Sequence, residues 1–97
     1  MNLSNDQKKF LRKLAQNLDP VVWIGQNGLT DNVVDELNGT LDHHELVKVK
    51  IRVGDRAIRE QTITSLCVKS RAVLIQKIGN TVTLFRRNLK NPSISLP

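Results

Sequence analysis

The chain has 97 residues and a single cysteine, which allow one domain with one modest core and exclude both an internal disulfide and a cysteine-rich zinc site. Hydrophobic residues at 39% and charged residues at 25% are the balance of a folded globule rather than a disordered chain. The net charge of +6 is unevenly placed: residues 1–47 carry four basic and seven acidic side chains (−3), residues 48–97 eleven basic and two acidic (+9). That excess gives the domain an electrostatic reason to seek a polyanion, nucleic acid above all.

Ser4-Asn5-Asp6-Gln7 fits a capping box, with Leu3 placed for a hydrophobic staple. Phe10, Leu11, Leu14, Ala15 and Leu18 then recur at helical spacing, while Lys9, Arg12, Lys13 and Gln16 share another face. This predicts a first helix over 4–18, ended by Asp19-Pro20. Val21-Val22-Trp23-Ile24 reads as a short buried strand, with Trp23 in the core; its place beside the following loop leaves contact with RNA as the alternative. After Gly25-Gln26-Asn27-Gly28, the four-residue step of Leu29, Val33, Leu37 and Leu41 predicts a second helix, capped by Thr30 and ending near His43. Leu46 to Val53 alternates cleanly, with Val47, Val49, Ile51 and Val53 on one side and Lys48, Lys50 and Arg52 on the other. A third helix follows over 56–70, with Ile63, Leu66 and Cys67 inward. Ala72 to Ile78 and Thr81 to Arg87 read as strands joined by a Gly79-Asn80 hairpin. Residues 88–97 form a tail extended over the domain. The order α-β-α-β-α-β-β predicts an α/β (α+β) single domain over 1–97, with a four-stranded mixed sheet and helices packed on it.

The loop from Gly25 to Gly28 joins a strand to a helix. Two glycines let backbone approach a ligand closely, and the N–H groups at the helix start suit a phosphate oxygen. KH domains clamp a nucleic-acid backbone with such a Gly-x-x-Gly loop. The candidate RNA-binding residues are therefore Gly25, Gln26, Asn27, Gly28 and Thr30, with Lys48, Lys50 and Arg52 on one sheet face, Lys9, Arg12 and Lys13 on the first helix, and Arg86 and Arg87 at the last strand's end. Together they would give a track for a phosphate backbone.

The run from Gly25-Gln26-Asn27-Gly28-Leu29-Thr30 through Glu36-Leu37 and Leu41 to His44-Glu45-Leu46-Val47-Lys48-Val49-Lys50 resembles the CRM domain family, named for chloroplast RNA splicing and ribosome maturation. Pro20-Val21-Val22, Ile78-Gly79 and Leu84-Phe85-Arg86 fit the same pattern. Trp23 departs from the smaller aliphatic residue usual there, and Phe85 stands in place of Tyr. A free-standing domain of this length resembles the bacterial YhbY-type proteins. The resemblance implies a KH-like fold similar to the C-terminal domain of translation initiation factor three, binding of ribosomal RNA in precursors of the large subunit, and a role in their assembly.

Other chemistry is poorly supported. His43 and His44 are adjacent and point apart, so no metal is expected of them, and Asp31, Asp35, Glu36 and Asp42 read as a solvated acidic face. Three aromatics and no Tyr do not make an RRM-type sheet. An acylphosphatase-like enzyme would need an Arg in the glycine loop. The alternative to RNA binding is a protein-interaction module whose basic or acidic face holds a partner such as a ribosomal protein. The expectation is a cytoplasmic, monomeric RNA-binding protein with no enzymatic activity, cofactor or membrane association, since no apolar run reaches the roughly 20 residues of a span.

Overall fold

In the computed structural model, which describes residues 2–97, α1 (Asn5–Ala15), β1 (Val22–Ile24), α2 (Asp31–His44), β2 (Leu46–Ile51), α3 (Arg56–Ser70), β3 (Val73–Ile78) and β4 (Thr81–Phe85) follow the predicted order. Met1, within the predicted domain, lies outside the described residues. The helix starts are set by side chains that accept the first free N–H groups. The Ser4 hydroxyl accepts from the Gln7 N–H at 3.1 Å while Gln7 Oε1 accepts from the Ser4 N–H at 3.0 Å, completing the capping box. Thr30 Oγ1 accepts from Val33 N–H at 3.2 Å, and Asp55 Oδ1 from Ile58 N–H at 2.9 Å. Helix α1 stops at Ala15, short of the predicted residue 18. The N–H groups of Gln16, Asn17 and Leu18 bond carbonyls three residues back, a tightened last turn before the Pro20 barrier.

The sheet order is β1-β2-β4-β3, with β1 parallel to β2 and the other pairs antiparallel. One face packs on α2 and α3 through Val22, Ile24, Val49, Ile51, Val82 and Leu84 against Leu37, Leu41, Ile63 and Leu66. The other face carries a second cluster of Leu11 and Ala15 from α1 with Leu46, Ile75 and Phe85. Strand β4 lies inside the sheet and is covered on both sides, so Val82 and Leu84 enter one cluster and Phe85 the other. Each such fully buried large side chain contributes about 1.5–3 kcal/mol relative to an exposed one.

The tail crosses the second cluster, where Ile94 and Leu96 pack, and it is fastened by Glu45. This carboxylate, 1% exposed at the α2–β2 junction, accepts from Asn88 N–H at 2.7 Å on Oε2. Its Oε1 accepts from Ser93 N–H at 2.8 Å, Ser93 Oγ at 3.1 Å and Ile94 N–H at 2.9 Å. Burial pushes the carboxyl pKa up, but the hydrogen bonds from Asn88, Ile94 and Ser93 outweigh it, so the pKa lies below the ordinary carboxylate value. Arg87 completes the clamp, 3.5 Å from Glu45 Oε2 and bonded to the Ile94 carbonyl.

Candidate nucleic-acid interface

Alternation along β1 and β2 decides which side chains meet on the sheet's second face. Val22 and Ile24 are wholly buried under the helices, so Trp23 points the other way. It is 52% exposed, not in the core as the apolar run suggested. The run is buried on one face only, because α1 and the tail cover just the part of the second face around Leu46, Phe85 and Ile75.

The uncovered part has a definite order. Trp23 is paired with Lys50, Lys50 with Thr81, and Thr81 with Ile78, in a row across all four strands. A second row runs from Lys48 to Gln76 across Thr83, which is itself buried. Between α1's C-terminal end and these rows lies an open groove of about 450 Å³, bordered by Gln16, Asp19, Lys48, Lys50, Gln76 and Thr81. The inward alternation continues through Val53, which puts Arg52 on the same side as Lys48 and Lys50. From Lys48 to Arg52 the cations cover about 13 Å of extended chain.

Arg52 adjoins the glycine loop. Its N–H donates to the Ile24 carbonyl at 2.7 Å, and its carbonyl accepts from Gln26 Nε2 at 3.4 Å. The loop closes by a bond from Gly28 N–H to the Gly25 carbonyl at 3.0 Å. Gly28 has φ +72°, a conformation that glycine adopts without Cβ strain. Gln26, Asn27 and Thr30 are exposed beside it. Helices α2 and α3 start after short loops from the parallel strands β1 and β2, so both positive helix ends lie at this end of the sheet, with the Gly79-Asn80 hairpin. Ile51 N–H donates to the Asn80 carbonyl at 2.7 Å and fixes the hairpin there.

Of the residues singled out in the sequence, the fold thus gathers Gly25, Gln26, Asn27, Gly28, Thr30, Lys48, Lys50 and Arg52. Lys9, Arg12 and Lys13 stay on α1, one or two turns before Gln16, and do not line the groove. Arg86 and Arg87 are not gathered with them: both are engaged in bonds within the fold. Arg86 donates to Asn38 Oδ1 and the Ser70 carbonyl, both at 2.8 Å, to the Asn38 carbonyl at 3.0 Å and to Asp42 Oδ1 at 2.7 Å. It ties α2 to the end of α3, while Arg87 serves the tail clamp. Sequence reasoning missed Glu45 as a structural centre; its place within the His44–Lys50 run that carries the resemblance was the available signal. Among the described residues, no cluster of three or more His, Cys, Asp or Glu is arranged to hold a metal.

Comparison with known proteins agrees with this architecture. A family model described as the CRS1 / YhbY (CRM) domain matches residues 3–86. A Haemophilus influenzae protein named as an RNA-binding protein is 41% identical over 98% of this chain and 95% of its own length. A maize chloroplastic group IIA intron splicing facilitator, CRS1, is 25% identical over 97% of this chain, which spans 14% of that protein. The solution structure of a Staphylococcus aureus hypothetical protein, given as an RNA-binding candidate, superposes with TM-score 0.82 at 32% identity, covering 99% of this chain and all of that one. These relatives are named for RNA binding or splicing and not for an enzymatic reaction. With the matched model spanning every element of the sheet and its helices, the chain belongs to the CRS1/YhbY (CRM) domain family.

Proposed function

We propose that this chain binds RNA through its phosphate backbone, and that its target is ribosomal RNA in precursors of the large subunit, which it helps to assemble as a cytoplasmic monomer. The observation that carries the reading is the meeting of Arg52 with the Gly25–Gly28 loop at one end of the sheet. Lys48 and Lys50 continue the cationic line along the adjacent face. The exposed loop backbone and two positive helix ends attract phosphate oxygens, and the cations release counterions when RNA docks. Backbone contacts of this kind select structured RNA by shape more than by base sequence. The relatives' names support RNA as the partner. The ribosomal target rests on the resemblance to YhbY-type proteins.

Fluorescence anisotropy with large-subunit ribosomal RNA fragments, against a transfer RNA of similar length, tests the reading across a salt series. Four to six phosphate contacts give a log–log slope of roughly −3 to −5. A flat salt response refutes phosphate gripping; equal affinity for both RNAs refutes the ribosomal target.

A further inference from the structure

We propose that Trp23 and Lys50 form a site for an unpaired nucleotide of the bound RNA, the base stacking on the indole while its phosphate meets the Lys50 ammonium. This rests on the RNA-binding reading and adds a specific ligand to it. The indole is 52% exposed although its chain neighbours Val22 and Ile24 are wholly buried, so the strand presents it outward instead of using it in either apolar cluster. Phe85, by contrast, is fully buried. Trp23 stands in register with Lys50, and alternation directs both to the same face. Arg52 lies beyond Lys50 on that face, and Thr81 and Gln76 continue the surface with polar groups. The acidic residue at the groove, Asp19, sits at the α1–β1 connection, beyond Lys48 as seen from Trp23.

This combination selects its occupant. An aromatic platform flanked by cations matches a nucleotide, which offers a flat π-face and an anionic phosphate a few bonds apart. An acidic peptide would satisfy the lysines and leave the ring without a partner. A continuous duplex has its bases stacked internally, so the ligand is a loop, bulge or free end. The site therefore adds preference for unpaired nucleotides next to the structured region gripped at the glycine loop.

Trp23 is the chain's one tryptophan and there is no tyrosine, so its emission reports this site alone. The experiment titrates the intact protein with a single-stranded ribo-oligonucleotide, a paired RNA duplex of matched charge, a poly-glutamate peptide and a structured ribosomal RNA fragment. Saturable quenching by the oligonucleotide and the structured fragment, but not by duplex or peptide, is expected. Trp23→Ala should weaken binding of the structured fragment about five- to 150-fold, the loss of one base stack, with an unchanged melt. Trp23→Phe should retain most of the affinity. If the fragment binds with unquenched emission and Trp23→Ala binds as well as the parent, the stacking site is refuted while the RNA reading stands. Quenching by peptide alone assigns the face to a protein partner and overturns the proposal. Absence of any RNA binding overturns both readings.

Discussion

Glu45→Gln offers a measure of how much of the domain's stability passes through the tail clamp. The substitution keeps size and shape but replaces one carboxylate oxygen by an NH2 group. If the amide oxygen keeps the Ser93 and Ile94 donors, the new NH2 faces the Asn88 N–H and the Arg87 guanidinium, donor against donor. One charge-assisted hydrogen bond is lost at about 1.5–3 kcal/mol, those that remain become neutral, and Arg87 loses its counter-charge. Because the Arg87 side chain is still 25% exposed, water recovers part of the cost, and a total near 3 kcal/mol is expected. For a domain of this length that lowers Tm by roughly 12–24 °C. The acid dependence provides a second readout. A carboxyl held below its ordinary value of 4.5 binds protons more readily once unfolded. The stability it supplies is thus complete above that value and lost as pH falls through the lower folded value. Thermal melts from pH 7 to pH 2.5 should show a shallower acid limb for Glu45→Gln, and amide exchange should accelerate first at Asn88, Ser93 and Ile94. A melt within 1 °C of the parent, with the acid limb unchanged, would refute the clamp.

Three further variants separate binding from folding. Lys48→Glu with Lys50→Glu should cut RNA affinity at least tenfold, about 1.4 kcal/mol, with unchanged circular dichroism, because both side chains alternate away from the Val47, Val49 and Ile51 core. Asn27→Asp adds one negative charge at the exposed loop; the melt should move by less than about 0.5 kcal/mol while RNA affinity falls about tenfold, and equal affinity would leave the loop as a turn only. Arg86→Ala should destabilise by about 2–3 kcal/mol through its lost bonds to Asn38, Ser70 and Asp42, yet leave the salt slope of RNA binding unchanged; a slope reduced by about one would return Arg86 to the RNA track.

Local signals carried most of the fold. Ser4 with Gln7, Thr30, the alternation from Leu46 and the Gly79-Asn80 turn each act within a few residues, and each formed where the sequence placed it, except that β2 ends at Ile51, two residues short of the predicted Val53. What was not legible depended on distance along the chain. Arg86 reads as a free cation because nothing near it is acidic; its acceptors come from residues 38, 42 and 70, brought close only by helix packing. Trp23 sits in an apolar run whose two faces fare differently, and only the sheet order shows that α1 stops short of it. The candidate site was legible in part: the glycine loop and the Lys48, Lys50, Arg52 alternation are local patterns, and their meeting through Ile24 and Gln26 is not.

The position of β4 also governs when this fold can exist during synthesis. Strands β1 and β2 emerge early but pair only with each other, and two strands alone are marginal in water. The other neighbour of β2 is the last strand made, and β3 joins the sheet solely through it. The two apolar clusters both wait for the same segment, one for Val82 and Leu84, the other for Phe85. Long-range pairing of this kind carries its loop-closure cost before any of its reward. Partial chains that end before Thr81 therefore leave the apolar sides of α2, α3 and β2 without a sheet to close on, and the domain becomes a cooperative unit only once its final strand has left the ribosome.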